Sequence, residues 1–408
     1  MTDSSVALPD FARIIARATT LRRELHQHPE LAWQEHRTAA TIRARLDELG
    51  IPWRACAGTG TLATLAPRAE GPHLAFRGDI DALPIHESTD LPWQSTVPGR
   101  MHACGHDGHT ATLVGLGGWL KARERDLPGP VTLLFQPAEE GGHGAERMIE
   151  DGAMAGIDCI YGWHNWPAIP FGRAVCPNGT VMAANGTFRI TVSGRGGHAA
   201  QPEACANPVT TAAAITVALQ HVLSGRVPPQ RPHVLTVSSI DAASNATVIP
   251  PFAVIEGTIR CARTADRDHL YRIMAEVIEG TARAHGTTAH FEPLPRYVAT
   301  VNHPGPAAAC RDALRHELGE DWQDTTTPLP IMASEDFSYY LQETAGAFAL
   351  IGADDGPAHQ PPCHNPAYDF NDALLAPVIR TFARLAGAPV LPAGSTPAPP
   401  ASRPSTAG

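Results

Sequence analysis

Apolar positions recur at helical spacing through Phe11, Ile14, Ile15, Ala18, Leu21 and Leu25, with Pro9 near the start, and the pattern predicts a helix that ends near Pro29. A second helix is predicted from Glu35 to Leu49, stopping at Gly50 before Pro52. Shorter apolar runs then predict strands over 61–65, 73–77, 131–135 and 159–162, with a helix over 109–121 among them. This alternation predicts an α/β fold with a mixed, mainly parallel sheet flanked by helices. In such sheets ligands gather at the carboxyl ends of strands. Asp79 and Asp81 follow one predicted strand, Glu139 and Glu140 another, and His164 a third.

Between 185 and 295 the pattern changes. Strand 187–192, helix 208–223, strands 234–239 and 252–260, helix 266–285 and strand 287–291 give the ferredoxin-like order βαββαβ. A separate domain, 185–295, is expected inside a discontinuous one of 1–184 and 296–387, with hinges near Ala184 and Pro295. Helices over 305–318 and 334–343, a strand over 347–351 and a helix over 371–386 complete the chain. Ser334, with Glu335 and Asp336 behind it, reads as a helix start by capping and charge. From Ala388 the sequence is mostly Pro, Ala, Ser and Gly, and a disordered tail is expected over 388–408.

The 408 residues exceed one compact core, which agrees with two domains. A net charge of −10 without a basic block argues against nucleic acid as a partner. No apolar run is long enough to cross a bilayer, and the N-terminus lacks a charged segment followed by an apolar stretch. A cytoplasmic enzyme is the expectation. The eight cysteines are scattered, with no Cys-x-x-Cys pair, and read as reduced core or site residues.

The densest chemistry lies in His-Ala-Cys-Gly-His-Asp-Gly-His (102–109). Gly105 lets Cys104 and His106 turn towards one point. Glu139 and Glu140 offer paired carboxylates: one can bind metal while its neighbour takes a proton from water. His164 sits among Trp163, Asn165 and Trp166, and His364 in Pro-Pro-Cys-His-Asn-Pro (361–366). Nitrogen, thiolate and carboxylate donors together suit a transition metal better than magnesium or calcium. The bland alternatives are a buried thiol, polar loop histidines and solvated glutamates. Each holds for one segment alone, but not for all of them together. Gly-Arg-Gly-Gly-His (194–198) lacks the lysine and spacing of a phosphate loop. His198 would reach a metal cleft only by domain closure or from another subunit. Asn245 and Arg260 are candidates for the substrate, since a guanidinium suits a carboxylate. For Arg260 an ordinary strand-end ion pair is an equal reading.

These segments resemble the M20 metallopeptidase family, in its amidohydrolase branch. The matching stretches are 22–31, 77–84, 101–109, 135–141, 164–167, 196–202, 333–337 and 364–370, in family order. The resemblance implies two divalent ions (Zn, Mn, Co or Ni) held by Cys104, His106, Glu140, His164 and His364, with Glu139 as general base. It implies that Asp79 or Asp81 orders the site from behind the ligands. It implies that the inserted domain is a lid that also pairs subunits into a homodimer. The histidine matching His198 would hold the substrate or its oxyanion, often across that interface, and Asn245 fits the family's asparagine-to-proline segment in the lid. One departure is Cys363, where the family usually carries leucine. The expected reaction is hydrolysis of the amide in an N-acyl amino acid, such as a hippurate-like, acetyl or indole-acetyl conjugate, with benzoyl favoured by the tryptophans. The rival expectations are a dipeptidase of the same fold, a metal-binding relative without catalysis, and a thiol enzyme with Cys104 as nucleophile.

Overall fold

The computed structural model describes residues 10–390, with backbone only at 222–224. Pro9 lies outside the described residues. Asp10 caps the first helix, Phe11–His26, by accepting from the Ala12 amide at 3.1 Å. The second helix, His36–Glu48, stops where Gly50 takes a φ of +67°.

A seven-stranded sheet organises the larger part of the chain, in the order 53–56, 60–65, 131–136, 74–79, 159–170, 345–354, 174–175. Its centre is parallel: Leu74–Asp79 pairs with Val131–Gln136 and Cys159–Pro170, which pairs with Ala345–Asp354. Antiparallel strands close both edges. Alternate side chains leave opposite faces. Phe76, Leu133 and Phe135 join one core beneath the helices Phe11–His26, His106–Lys121 and Leu375–Leu385. Ala75, Leu134 and Ile160 join the other, with Phe337 and Tyr340. The continuous burial of Val131–Gln136 is what a central strand covered on both faces requires.

Residues 184–295 build a second sheet, antiparallel, in the order 233–241, 252–261, 184–193, 288–295. Helices Pro208–Arg226 and Thr264–Ala284 cover one face. Phe188, Ile190 and Val192 pack there with Ile215, Leu219, Leu270, Met274 and Ile278 in a core of their own. The two chain crossings lie side by side: the Asn185 amide donates to the Tyr297 carbonyl at 3.0 Å, and the Arg296 amide to the Asn185 carbonyl at 3.1 Å.

Several expectations need correction. Cys159–Pro170 does not end before His164 but runs through it, because His164, Asn165 and Trp166 stay in register with Leu350, Ile351 and Gly352. The helix expected from 109 starts at His106. The helix expected over 334–343 is a single 3₁₀ turn, Asp336–Ser338, followed by Tyr340–Glu343. Glu335, not Ser334, caps that turn, accepting from Phe337 at 3.0 Å. Short strands at 53–56, 174–175, 179–182 and 300–302 carry too few alternating positions to announce themselves. Ala388, expected to open a disordered tail, is instead buried, and its carbonyl accepts from the Trp119 indole at 2.7 Å. The rest of the expected tail, 391–408, lies outside the described residues.

Candidate metal centre

The strand ends and turns of the larger sheet converge on one cleft of about 590 Å³, lined among others by Cys104, Glu139, Glu140, His164 and His364. Gly105 makes the first convergence possible. It turns with a φ of +90°, and a Cβ there would lie 2.2 Å from Asn165 Oδ1 and 2.6 Å from the Tyr368 hydroxyl. Ala138 and His364 also hold left-handed backbone, at φ +54° and +69°, just where donor segments bend towards the cleft.

The ligand-capable atoms gather in overlapping groups. Cys104, His106 and His164 form one, Cys104, Glu140 and His364 a second, and His106, Glu139 and Glu140 a third, each within 4.8 Å. Cys104 Sγ lies 3.3 Å from His164 Nε2, and His364 Nε2 lies 3.1 Å from Glu140 Oε1. All five sequence-expected ligands are therefore together, and Glu139 is beside them. His106 Nε2 is buried without a hydrogen-bond partner, an expensive state for a polar atom unless something is bound there. Mixed N, S and O donors around such an orphaned nitrogen fit a divalent transition metal, and two groups sharing Cys104 fit a pair of ions.

The atoms behind the donors are committed. Asp81 Oδ1 meets His106 Nδ1 at 3.2 Å, and Oδ2 accepts the Glu140 amide at 2.9 Å. His164 Nδ1 donates to the Asn165 carbonyl at 2.6 Å, which turns Nε2 to the cleft. Asp79 sits further back, 2.6 Å from both His109 Nδ1 and Arg77 Nη1. His109 spends its second nitrogen on Asn165 Oδ1 at 2.8 Å, so it supports rather than ligates.

Burial and charge set the protonation. Burial alone would lower the His106 pKa, but Asp79, Asp81 and Glu140 outweigh it and carry it to about 10. That carboxylate field is one a cation would satisfy equally well. Burial pushes Glu139 well above the usual carboxylate range, helped by Glu335, Glu140 and Asp336. Glu140 feels the same burial, yet its bond to His364 and the His106 charge hold it low. Two adjacent glutamates thus differ in character. A hydrogen bond with Cys363 raises the Cys104 thiol well above its ordinary value, and burial adds to that. This is the opposite of an activated nucleophile and removes the support for a thiol enzyme. Cys363 itself receives Asn165 Nδ2 at 3.8 Å.

Arg260 lines the cleft and donates to the Met332 carbonyl at 2.8 Å, so it is not in the strand-end ion pair considered for it. His198 and Asn245 do not line the cleft in this single chain. They sit together at a separate two-stranded ladder of residues 197–198 and 248–249, where Val248 pairs with His198 and its amide donates to the Asn245 carbonyl. Sequence reasoning passed over Asn165, Arg296 and Tyr297. The Tyr297 hydroxyl donates to the Glu139 carbonyl and receives the Gly141 amide at 2.9 Å, pinning the bend that carries both glutamates. Asn165 was adjacent to a singled-out histidine, whereas Arg296 and Tyr297 carried no pattern beyond a strand end.

Residues 75–388 match the model of peptidase family M20/M25/M40. The chain is 40% identical over 361 residues to N-acetyl-L-cysteine deacetylase of Bacillus subtilis (strain 168), covering 87% of this chain and 84% of that protein. It is 31% identical over 382 residues to hippurate hydrolase of Campylobacter jejuni, covering 93% and 98%. A crystal structure of a Bacillus subtilis protein described as a dinuclear metal-binding peptidase of the M20 family superposes with a TM-score of 0.80 at 33% identity, covering 92% and 98%. With its sheet, its inserted second unit and its clustered donors, the chain belongs to peptidase family M20/M25/M40, in the amidohydrolase branch.

Proposed function

We propose that the chain is a metal-dependent amidohydrolase that cleaves N-acyl amino acids to a carboxylic acid and a free amino acid. The observation that carries this is the meeting of Cys104, His106, Glu140, His164 and His364 around one point, with Glu139 left over at its edge. Those five would hold two divalent ions, of zinc, manganese, cobalt or nickel type, which supply Lewis acidity and acidify a bound water. Asp81 and the Asn165 carbonyl aim the two histidines, and Asp79 braces His109 and Arg77 behind them.

Glu139 takes the proton from the attacking water and passes it to the leaving amine. Its raised pKa suits that traffic better than an ordinary carboxylate would. Its backbone is held by Tyr297, and the Asp336 amide lies 3.4 Å from its carboxylate. Arg260 reads the substrate carboxylate, while Trp166 and Met332 give the cleft an apolar wall for the acyl group. We divide the chain into a catalytic domain of 1–184 and 296–387 and a lid of 185–295. His198 and Asn245 then reach the substrate by lid closure on hinges near Ala184 and Pro295, or from the partner lid of a homodimer. No helix among the described residues is long and apolar enough to cross a membrane, and a cytoplasmic location is proposed.

The test is a hydrolysis panel of hippurate, acetyl amino acids, indole-acetyl conjugates and dipeptides on metal-quantified protein. Acyl amino acids are expected to lead. Glu139→Gln is expected to keep its metal and lose turnover by about 10²- to 10⁴-fold. Normal turnover in that variant would remove Glu139 as the base. Better cleavage of dipeptides would favour the peptidase reading.

A further inference from the structure

Two guanidiniums face the cleft, and only one has a role in the reading above. Arg260 is half-buried, anchored by the Met332 carbonyl at 2.8 Å and by Ser334 Oγ at 3.4 Å. Arg296 lies where the chain returns from the insert, its amide donating to the Asn185 carbonyl at 3.1 Å. A Cβ on Gly141 would lie 2.4 Å from its Nη2, so this guanidinium rests on the backbone next to Glu140. It also lies beside the Tyr297 ring, 5.5 Å from its centre. Among the described residues neither arginine has a carboxylate within ion-pair distance. Burial lowers the Arg260 pKa, and the Arg296 charge lowers it further, so the two cations sense one another.

The carboxylates of the cleft are already engaged. Glu335 is bound to Arg77 at 2.8 Å, Glu140 to His364 at 3.1 Å, and Glu139 is beneath the Asp336 amide. One substrate carboxylate needs one guanidinium, because the fork of a single arginine matches it bidentately. A second cation held nearby, part-buried and without a counter-ion, raises the potential of the cleft and favours a ligand that brings a second negative charge.

We propose that Arg296 makes this enzyme selective for N-acyl amino acids bearing two carboxylates, with Arg260 reading one and Arg296 the other. The proposal rests on the amidohydrolase reading. The second carboxylate can come from the amino acid's side chain or from the far end of a dicarboxylic acyl group.

Calorimetric titration of the metal-loaded protein with uncleavable sulfonamides tests this without requiring turnover. One pair is N-methanesulfonyl-L-glutamate and its glutamine counterpart. The other is N-(2-carboxyethanesulfonyl)-L-alanine and its carboxamide. In at least one pair the dianion is expected to bind on the order of tenfold tighter than its singly charged partner. The pair that shows this identifies the source of the second charge. Arg296→Ala should bring that ratio near one, Arg296→Lys should keep part of it, and added salt should shrink it. Equal binding within both pairs, or a preference that survives Arg296→Ala, would overturn the proposal. So would an equal loss of all four ligands in Arg296→Ala, which would make Arg296 a reader of the first carboxylate. Failure of the hydrolysis panel alone would count against the amidohydrolase reading and leave these binding ratios to stand or fall separately.

Discussion

Gly105 lies between two proposed ligands, and its missing side chain is the space that Asn165 and Tyr368 use to reach each other at 2.7 Å. Gly105→Ala would meet both and force alanine into a backbone region it rarely adopts. We expect a loss of about 1–3 kcal/mol in stability, since the buried Asn165–Tyr368–His109 bonding must shift. Metal content should fall as well, because Cys104 and His106 no longer converge. Denaturant titration and metal analysis read both effects, and full occupancy in that variant would contradict this account of the turn. The sequence made this residue legible: a glycine between two donors has a clear geometric purpose. It did not make Asn165 legible, because an asparagine with a second-row duty shows no pattern without the fold.

Elements transmit constraints that single residues cannot. The helix Phe11–His26 ends on His26, whose Nδ1 lies 2.8 Å from Asp107 Oδ2 and whose Nε2 lies 3.3 Å from Glu87. Burial opposes the charge on His26, yet Asp107 and Glu87 raise its pKa to about 9 from 6.5. A histidine raised in this way stabilises the fold fully below pH 6.5 and stops doing so as pH climbs through 9. The contribution is at most about 3 kcal/mol. Stability against thermal unfolding should therefore fall between pH 6.5 and 9, and His26→Gln should flatten that slope. A wild-type slope no steeper than the variant's would refute the linkage. The strand Leu74–Asp79 carries the other hub. Arg77 is fully buried and binds Asp79, Glu335, Asp336 and Gln136 at 2.6–3.0 Å. Arg77→Met leaves three carboxylates facing one another, and about 3–5 kcal/mol of stability should go with it. Near-normal unfolding would mean that those acids take up protons at little cost. Helices with clean periodicity were legible to within a few residues. Cys159–Pro170 was read too short because 160–165 is buried without alternation, and the alternating stretch behind it runs from Pro167 to Pro170, residues that read as a turn. The 334–343 segment was misread because Ser334 caps well in principle, while its hydroxyl is taken by Arg260.

For the whole molecule, the proposed ligands span residues 104 to 364, so bound ions would tie together parts of the chain that separate on unfolding. Chelation should lower the melting temperature, and restored metal should raise it again with the logarithm of its free concentration. The core around Phe188, Ile190 and Leu270 contains none of those donors. Chelated protein should therefore melt in two steps, with the unit 184–295 the less affected. A single transition at an unchanged temperature would show that the cations contribute nothing to the fold. The α/β architecture and the βαββαβ insert were legible because strand and helix periods differ so plainly. Where the segment holding His198 and Asn245 lies relative to the cleft was not, since that depends on packing between units and leaves no period in the chain.

The insert leaves and re-enters the larger unit through neighbouring threads, clasped at Asn185, Arg296 and Tyr297. The five donors and Glu139 all lie outside it. A tight turn joining those two threads would seal the polypeptide and keep the donor segments continuous with their sheet. The insert is thus a cassette held on two adjacent threads, and trading it would change what Arg260, His198 and Asn245 bring to the substrate while the five donors and Glu139 are inherited unchanged.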